Sequence, residues 1–140
     1  MLLQKAVLDS LFLFNQSEHH RIYTLAQFNH YCIFPLLHNK ARLFYENDKP
    51  IGFVSWAWFT EKESLDFLKE SWIPDEEVYK RQISDELWGI EFIAPFDHGK
   101  ALVRNMIKET YKVAKAHLET DHKVHWRRVS APHKRLTRRV

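Results

Sequence analysis

Glu86-Leu-Trp-Gly-Ile-Glu-Phe-Ile-Ala-Pro-Phe-Asp-His-Gly99 reads as a buried strand that carries one charge, is stopped by proline and is aimed at a helix. Trp88, Ile90, Phe92 and Ile93 suit a pleated, packed surface, and Glu91 stands among them without a polar neighbour. A carboxylate taken out of water must be paired, hydrogen-bonded or neutralised. Some residue distant in sequence therefore has to meet Glu91.

Outward from that stretch, Pro95 ends the strand Leu87–Ala94, and a loop of Phe96, Asp97, His98 and Gly99 leads into a helix from about Lys100 to Leu118. Leu102, Met106, Tyr111 and Val113, backed by Ala101, Ile107 and Ala114, give that helix an approximate apolar face. A last strand, Lys123–Val129, precedes a basic tail at 130–140 that lacks the apolar periodicity of a packed element. On the N-terminal side, Ala41–Tyr45 and Pro50–Phe59 read as two strands of a hairpin joined by Glu46-Asn47-Asp48-Lys49. The acidic segment between Thr60 and Glu86 shows helical spacing at Leu65 and Leu68 and a break at Trp72-Ile73-Pro74-Asp75.

The chain opens with an amphipathic helix over about Leu2–Phe14, since Leu3, Val7, Leu11 and Phe14 recur at helical spacing. Lys5 and Asp9 interrupt the apolar run and no small-residue cleavage site follows, so it is not expected to be a signal peptide. A second helix is predicted over Thr24–Leu37, with Thr24 as N-cap and Pro35 kinking or stopping its end. Two helices, a hairpin, a strand, a long helix and a strand describe an α+β fold, a three-layer α/β/α domain with a mixed sheet.

At 140 residues the chain has the size of one ordinary domain, and 45% apolar residues exclude a disordered one. One domain over 1–129 followed by the tail is the expected organisation. The single Cys32 lies between Tyr31 and Ile33 and reads as a core thiol, which favours a reducing compartment. No apolar run reaches the roughly 18 to 20 residues that a membrane span needs.

Net charge is only +3, yet its distribution is uneven. Residues 61–86 hold nine of the eighteen acidic residues and none follows Asp121, whereas Lys123, Arg127, Arg128, Lys134, Arg135, Arg138 and Arg139 make the end basic. Such an arm suits an acidic surface. With Trp126 as a stackable ring, it also allows a nucleic-acid-binding module as a second reading, which accounts for the tail alone. Nine histidines raise the question of metal, but His19 and His20 are adjacent and no His-Glu-x-x-His spacing occurs, so no metal is expected.

Several motifs together carry a resemblance. Phe12-Leu13-Phe14, Ser17, His20-Arg21, Pro35, Pro50-Ile51, Ser55-Trp56-Ala57, Ser84-Asp85, Trp88 and Ile90-Glu91-Phe92-Ile93-Ala94-Pro95-Phe96 are similar to the lysine acyltransferases that activate RTX haemolysins, over roughly residues 6 to 129. The resemblance implies an N-acetyltransferase-like fold with a mixed, mostly antiparallel sheet, a cytoplasmic homodimer, and transfer of a fatty acyl group from acyl carrier protein to internal lysines of a protoxin. It implies no permanently bound cofactor, because the acyl carrier protein is the donor substrate. The family's essential histidine, in a Ser-x-x-His-Arg setting, falls on His20. Its essential aspartate falls on Glu91, one methylene longer.

The chemistry can be stated on its own terms. A lysine amine, with an ordinary pKa of about 10.4, is a poor nucleophile near neutral pH, so attack on a thioester needs a base or a desolvating pocket. An imidazole titrates near ambient pH; His20 is expected to deprotonate the amine or to take the acyl group, with Glu91 fixing its tautomer. Ser17 and Arg21 are expected beside the substrate, and Trp56 is expected to line the acyl-chain channel. His98 and Gly99, between strand and helix, are expected to hold a phosphate of the pantetheine arm. The glycine-rich loop that grips free coenzyme A is absent, which favours a carrier-protein donor. A homologue that binds carrier or toxin without turnover is the third reading.

Overall fold

A computed structural model describes residues 2–96, 99–115, 123–128 and 131–139. The sequence stretch 86–99 becomes β3, Glu86–Ile93, the middle strand of a five-stranded sheet ordered β1-β2-β3-β4-β5. The others are β1 (Ala41–Glu46), β2 (Lys49–Phe59), β4 (Lys123–Arg128) and β5 (Ala131–Arg139). Among the described strands only the β3–β4 pair is parallel. That pairing follows from the crossover helix α6 (Gly99–Lys115), which returns the chain along the sheet so that β4 runs beside β3 in the same direction.

Helices cover both faces. On one lie α1 (Leu3–Gln16), α2 (Leu25–Phe28), α3 (Phe34–Leu37), α4 (Glu61–Leu68) and α5 (Glu76–Lys80); on the other lies α6. Alternation along β2 divides the core accordingly: Phe53, Ala57 and Phe59 face the first layer, whereas Val54, Trp56 and Trp58 pack with Met106 of α6. The α+β, mixed and mostly antiparallel sheet expected from the sequence is the one observed. Among the described residues no helix is long and apolar enough to cross a membrane.

Local differences have identifiable causes. The β1–β2 turn is only two residues long, because Asn47 and Asp48 both adopt positive φ (49° and 65°) as a tight hairpin requires. The second helix starts at the Thr24–Gln27 capping box as expected, but widens into a π-helical turn over Asn29–Ile33 before α3. Pro35 lacks an N–H and its ring crowds the preceding turn, so the expected kink is expressed as that bulge. Helix α1 buries Ala6, Ser10, Leu13 and Phe14 and leaves Leu3 and Leu11 exposed, so its packed stripe is rotated from the 3/7/11/14 reading. The acidic segment resolves into α4, begun by a Thr60–Glu63 capping box, and α5, capped by Asp75.

The largest correction concerns the C-terminal end. Residues 131–139, expected to belong to a basic tail outside the packed domain, form the edge strand β5. Arg135 pairs with Glu86 and stacks 5.2 Å from the Trp88 ring, and Thr137 Oγ1 lies 2.8 Å from His125 Nδ1. The strand was hidden because it is an edge: lysines, arginines and a proline keep such a strand from pairing with other chains, and they also erase its apolar alternation.

Candidate active site

A bulge in β3 creates the site. Ser55 pairs with Glu91 and Trp56 with Gly89, which leaves Ile90 as the extra residue. Strict alternation from Trp88 would send Glu91 to the α6 face. The inserted residue resets the phase, so Ile90 packs near Trp88 and Glu91 also faces the first helical layer. Gly89 permits the bend: a Cβ there would come within 2.8 Å of the Phe92 ring, which folds back over it.

On that face Glu91 meets His20, 71 residues away, with His20 Nε2 2.6 Å from Glu91 Oε2 and both side chains nearly buried (7% and 9% exposed). Tyr23 donates its hydroxyl to Glu91 Oε1 at 2.7 Å, so both carboxylate oxygens are occupied. Ser17 Oγ lies 2.5 Å from His20 Nδ1. The consistent assignment has Nε2–H donating to Glu91 and Nδ1 accepting from Ser17. Local structure explains the approach: Ser17 ends α1 in an extended conformation, and the turn that follows, His20 N–H to Ser17 O at 3.1 Å, points the imidazole inward. Phe14 wedges edge-on against the ring at 5.4 Å.

Beyond Leu87↔Val124 and Trp88↔His125 the parallel strands part. The gap opens into a mostly apolar cavity of about 380 Å³, walled by Phe92, Val124 and Trp126 of the strands and by Val103, Ile107 and Tyr111 of α6, with His20 and Glu91 at its edge. Two adjacent stripes on α6 make this possible. Met106 and Thr110 are buried, while Val103, Ile107 and Tyr111, each one turn further on, face the cavity.

The electrostatics follow from burial. Desolvation first, and then the Glu91 charge it donates to, raise the Tyr23 hydroxyl far above its ordinary value, so it stays a donor. Burial, with a smaller contribution from His20, lowers His19. Burial pushes the Cys32 thiol up to about 12, so it is an inert core group.

Of the residues singled out from sequence, His20, Glu91 and Ser17 come together. Arg21 is exposed, next to His20 in sequence only. Trp56 is in the core with Met106 and Val124, beneath the cavity, and does not line it. Gly99 is the first residue of α6, and His98 lies outside the described residues. Arg127 and Trp126, expected on an outward basic surface, turn inward. Arg127 donates to Phe67 O at 2.6 Å with its guanidinium 3.6 Å over the Phe67 ring, and Trp126 lines the apolar cavity. Sequence reasoning missed Tyr23, whose signal was its place three residues after His20, and the 103/107/111 spacing on α6.

The leukotoxin-activating lysine-acyltransferase LktC of a Pasteurella haemolytica-like species is 31% identical over 77 residues, which cover 53% of this chain and 44% of that protein. The chain thus matches less than half the length of that relative. The protein sll0720 of Synechocystis sp. is 24% identical over 100 residues, 70% of this chain and 67% of its own. The sequence profile of the RTX toxin acyltransferase family matches residues 4–133, nearly the whole length, and the chain belongs to that family.

Proposed function

We propose that this chain is a protein-lysine fatty acyltransferase that moves an acyl group from acyl carrier protein to internal lysines of an RTX protoxin and so activates it. The observation that carries the reading is the buried 2.6 Å contact between His20 and Glu91 at the edge of an apolar cavity of a size suited to an acyl chain. Family membership supports acyl transfer, and the leukotoxin-activating relative supports lysine as the acceptor.

In this reading the acyl chain lies along Val103, Ile107 and Tyr111, with the thioester carbonyl beside His20. Glu91 accepts Nε2–H and so fixes the tautomer whose Nδ1 lone pair is free to act as base. The incoming amine takes the place of the Ser17 hydroxyl at Nδ1 and gives it a proton. The amine nitrogen attacks the carbonyl carbon, the C–S bond breaks, and the carrier thiolate takes the proton from the imidazolium, which Glu91 stabilises meanwhile. Amide and free carrier thiol are the products, with one net proton released from the lysine ammonium. The same reading goes with a cytoplasmic protein and with a homodimer, a state that would cover apolar side chains such as Leu8 and Leu11 exposed on α1.

The test is release of carrier thiol from fatty acyl carrier protein in the presence of a lysine-containing protoxin fragment. Wild-type protein is expected to free the thiol and His20→Ala to lose that activity with an unchanged circular dichroism spectrum. Binding of carrier without thiol release by the wild type would mark a non-catalytic homologue and end the reading.

A further inference from the structure

A second cavity, of about 320 Å³, reaches Glu91 from the opposite face of the sheet. Ile90, Glu91 and Arg127 line both cavities, so the gap where β3 and β4 part is a shared wall between them. The two linings differ in kind. The α6 side sets aliphatic side chains beside the rings of Phe92, Tyr111 and Trp126, whereas this side sets the polar His19 and Gln27 among the rings of Tyr23, Tyr31, Phe67 and Trp72. It has a carboxylate at each depth: Glu91, nearly buried, and Glu70, whose side chain is 54% exposed.

Glu70 occupies a position where its own backbone argues against it. Helix α4 ends with Ser71 N–H bonded to Asp66 O at 3.0 Å and Glu70 N–H to Phe67 O at 3.1 Å, and Glu70 has φ 58°. This is the helix-ending motif in which glycine is favoured, because a Cβ is strained in the left-handed region. The fold alone would be better served by glycine at 70. That position places a carboxylate at the rim of a cavity lined by Glu91.

We propose that this second cavity is the port through which the acceptor lysine reaches the His20–Glu91 pair, with Glu70 as the residue that recognises its ammonium group. The inference rests on the acyl-transfer reading above and assigns the two substrates to opposite faces of the sheet. A lysine ammonium is attracted both by a carboxylate at the mouth and by aromatic faces along the wall. Among the described residues Glu70 makes a loose 3.6 Å contact with the exposed His133, which an ammonium group can replace. At the inner end the Arg127 guanidinium is fixed by Phe67. Its like charge disfavours the protonated lysine at this inner end, beside Glu91, whose partner His20 is the base. The port thus draws in the cation and releases the free amine.

The experiment uses the whole chain, fatty acyl carrier protein and a lysine-containing peptide as acceptor. Glu70→Gln removes the charge at nearly constant shape, and Glu70→Gly removes it while relieving the backbone. Both are expected to raise KM for the peptide by about fivefold or more, with kcat at saturating peptide little changed. Glu70→Gly is expected to melt at or above the wild-type temperature, an outcome that separates recognition from a structural role. An unchanged KM in both variants would overturn the port. Peptide-dependent thioester cleavage by the wild-type protein keeps the two failures apart. If it occurs while KM ignores residue 70, the port falls and acyl transfer stands; if the wild type never cleaves the thioester, the transfer reading falls and the port with it.

Discussion

Glu91 and Tyr23 are joined by a 2.7 Å hydrogen bond from phenol to carboxylate, on the oxygen that His20 leaves free. A buried carboxylate with one partner would be costly and free to rotate; with two donors it is both satisfied and fixed. Tyr23 therefore sets the position from which Glu91 holds the imidazole.

Tyr23→Phe is expected to lower kcat by roughly tenfold without loss of fold, since it removes one charge-assisted hydrogen bond from the carboxylate. Glu91→Gln is expected to cost more, on the order of a hundredfold or greater, because the amide can no longer stabilise an imidazolium. Glu91→Asp keeps the charge and is expected to lie between wild type and Glu91→Gln. Steady-state release of carrier thiol measures all three.

The bulge supports a second expectation. Gly89→Ala places a Cβ 2.8 Å from the Phe92 ring, which lines the apolar cavity and has to move aside. Destabilisation of about 1–3 kcal/mol is expected by urea titration, together with loss of acyl transfer. Unchanged stability and rate would mean that the ring relaxes freely and that the bend does not depend on glycine.

Chain-length choice tests the donor cavity. Ile107→Trp fills space between α6 and the parted strands, so transfer of long acyl chains is expected to fall more than transfer of short ones. A profile across donors of increasing length reads this directly. A uniform loss at every length would point to disturbed folding instead.

Acid is expected to weaken the fold through His125 and His19. Burial, the largest cause for each, holds both below the ordinary imidazole value; for His125, Glu86 opposes this while Arg135 and Lys123 add to it. A histidine whose folded value is depressed binds its proton better when unfolded. The stability it contributes is therefore present above about pH 6.5 and is lost as pH falls below it. Urea midpoints between pH 7.5 and 5.5 should decline, and His125→Asn should flatten the decline.

Much of the fold was legible because local chemistry and tertiary demand agree there. The Asn47-Asp48 hairpin, the β3 strand with Pro95 behind it, and the Thr24 cap are set by residues whose conformational preferences are strong and near in sequence. Glu91 stands out as a lone charge in an apolar strand and His20 through motif resemblance, and their contact depends on something periodicity cannot register. A one-residue bulge reverses which face a side chain takes while leaving composition untouched. Arg127 shows the same limit from another side, since a basic residue in a basic run gave no sign that its guanidinium lies on Phe67. Strand β5 was missed because the traits that protect an edge are those that make a segment read as tail.

The central claim is that His20, held by Glu91, catalyses fatty acylation of a toxin lysine. Intact-mass measurement of a calcium-binding-repeat protoxin, incubated with acyl carrier protein loaded with one fatty acid, tests it most directly. With wild-type protein the toxin should gain the mass of that acyl group on lysine, and with folded His20→Ala it should gain none. A toxin mass unchanged by the wild type, or shifted equally by His20→Ala, would contradict the account.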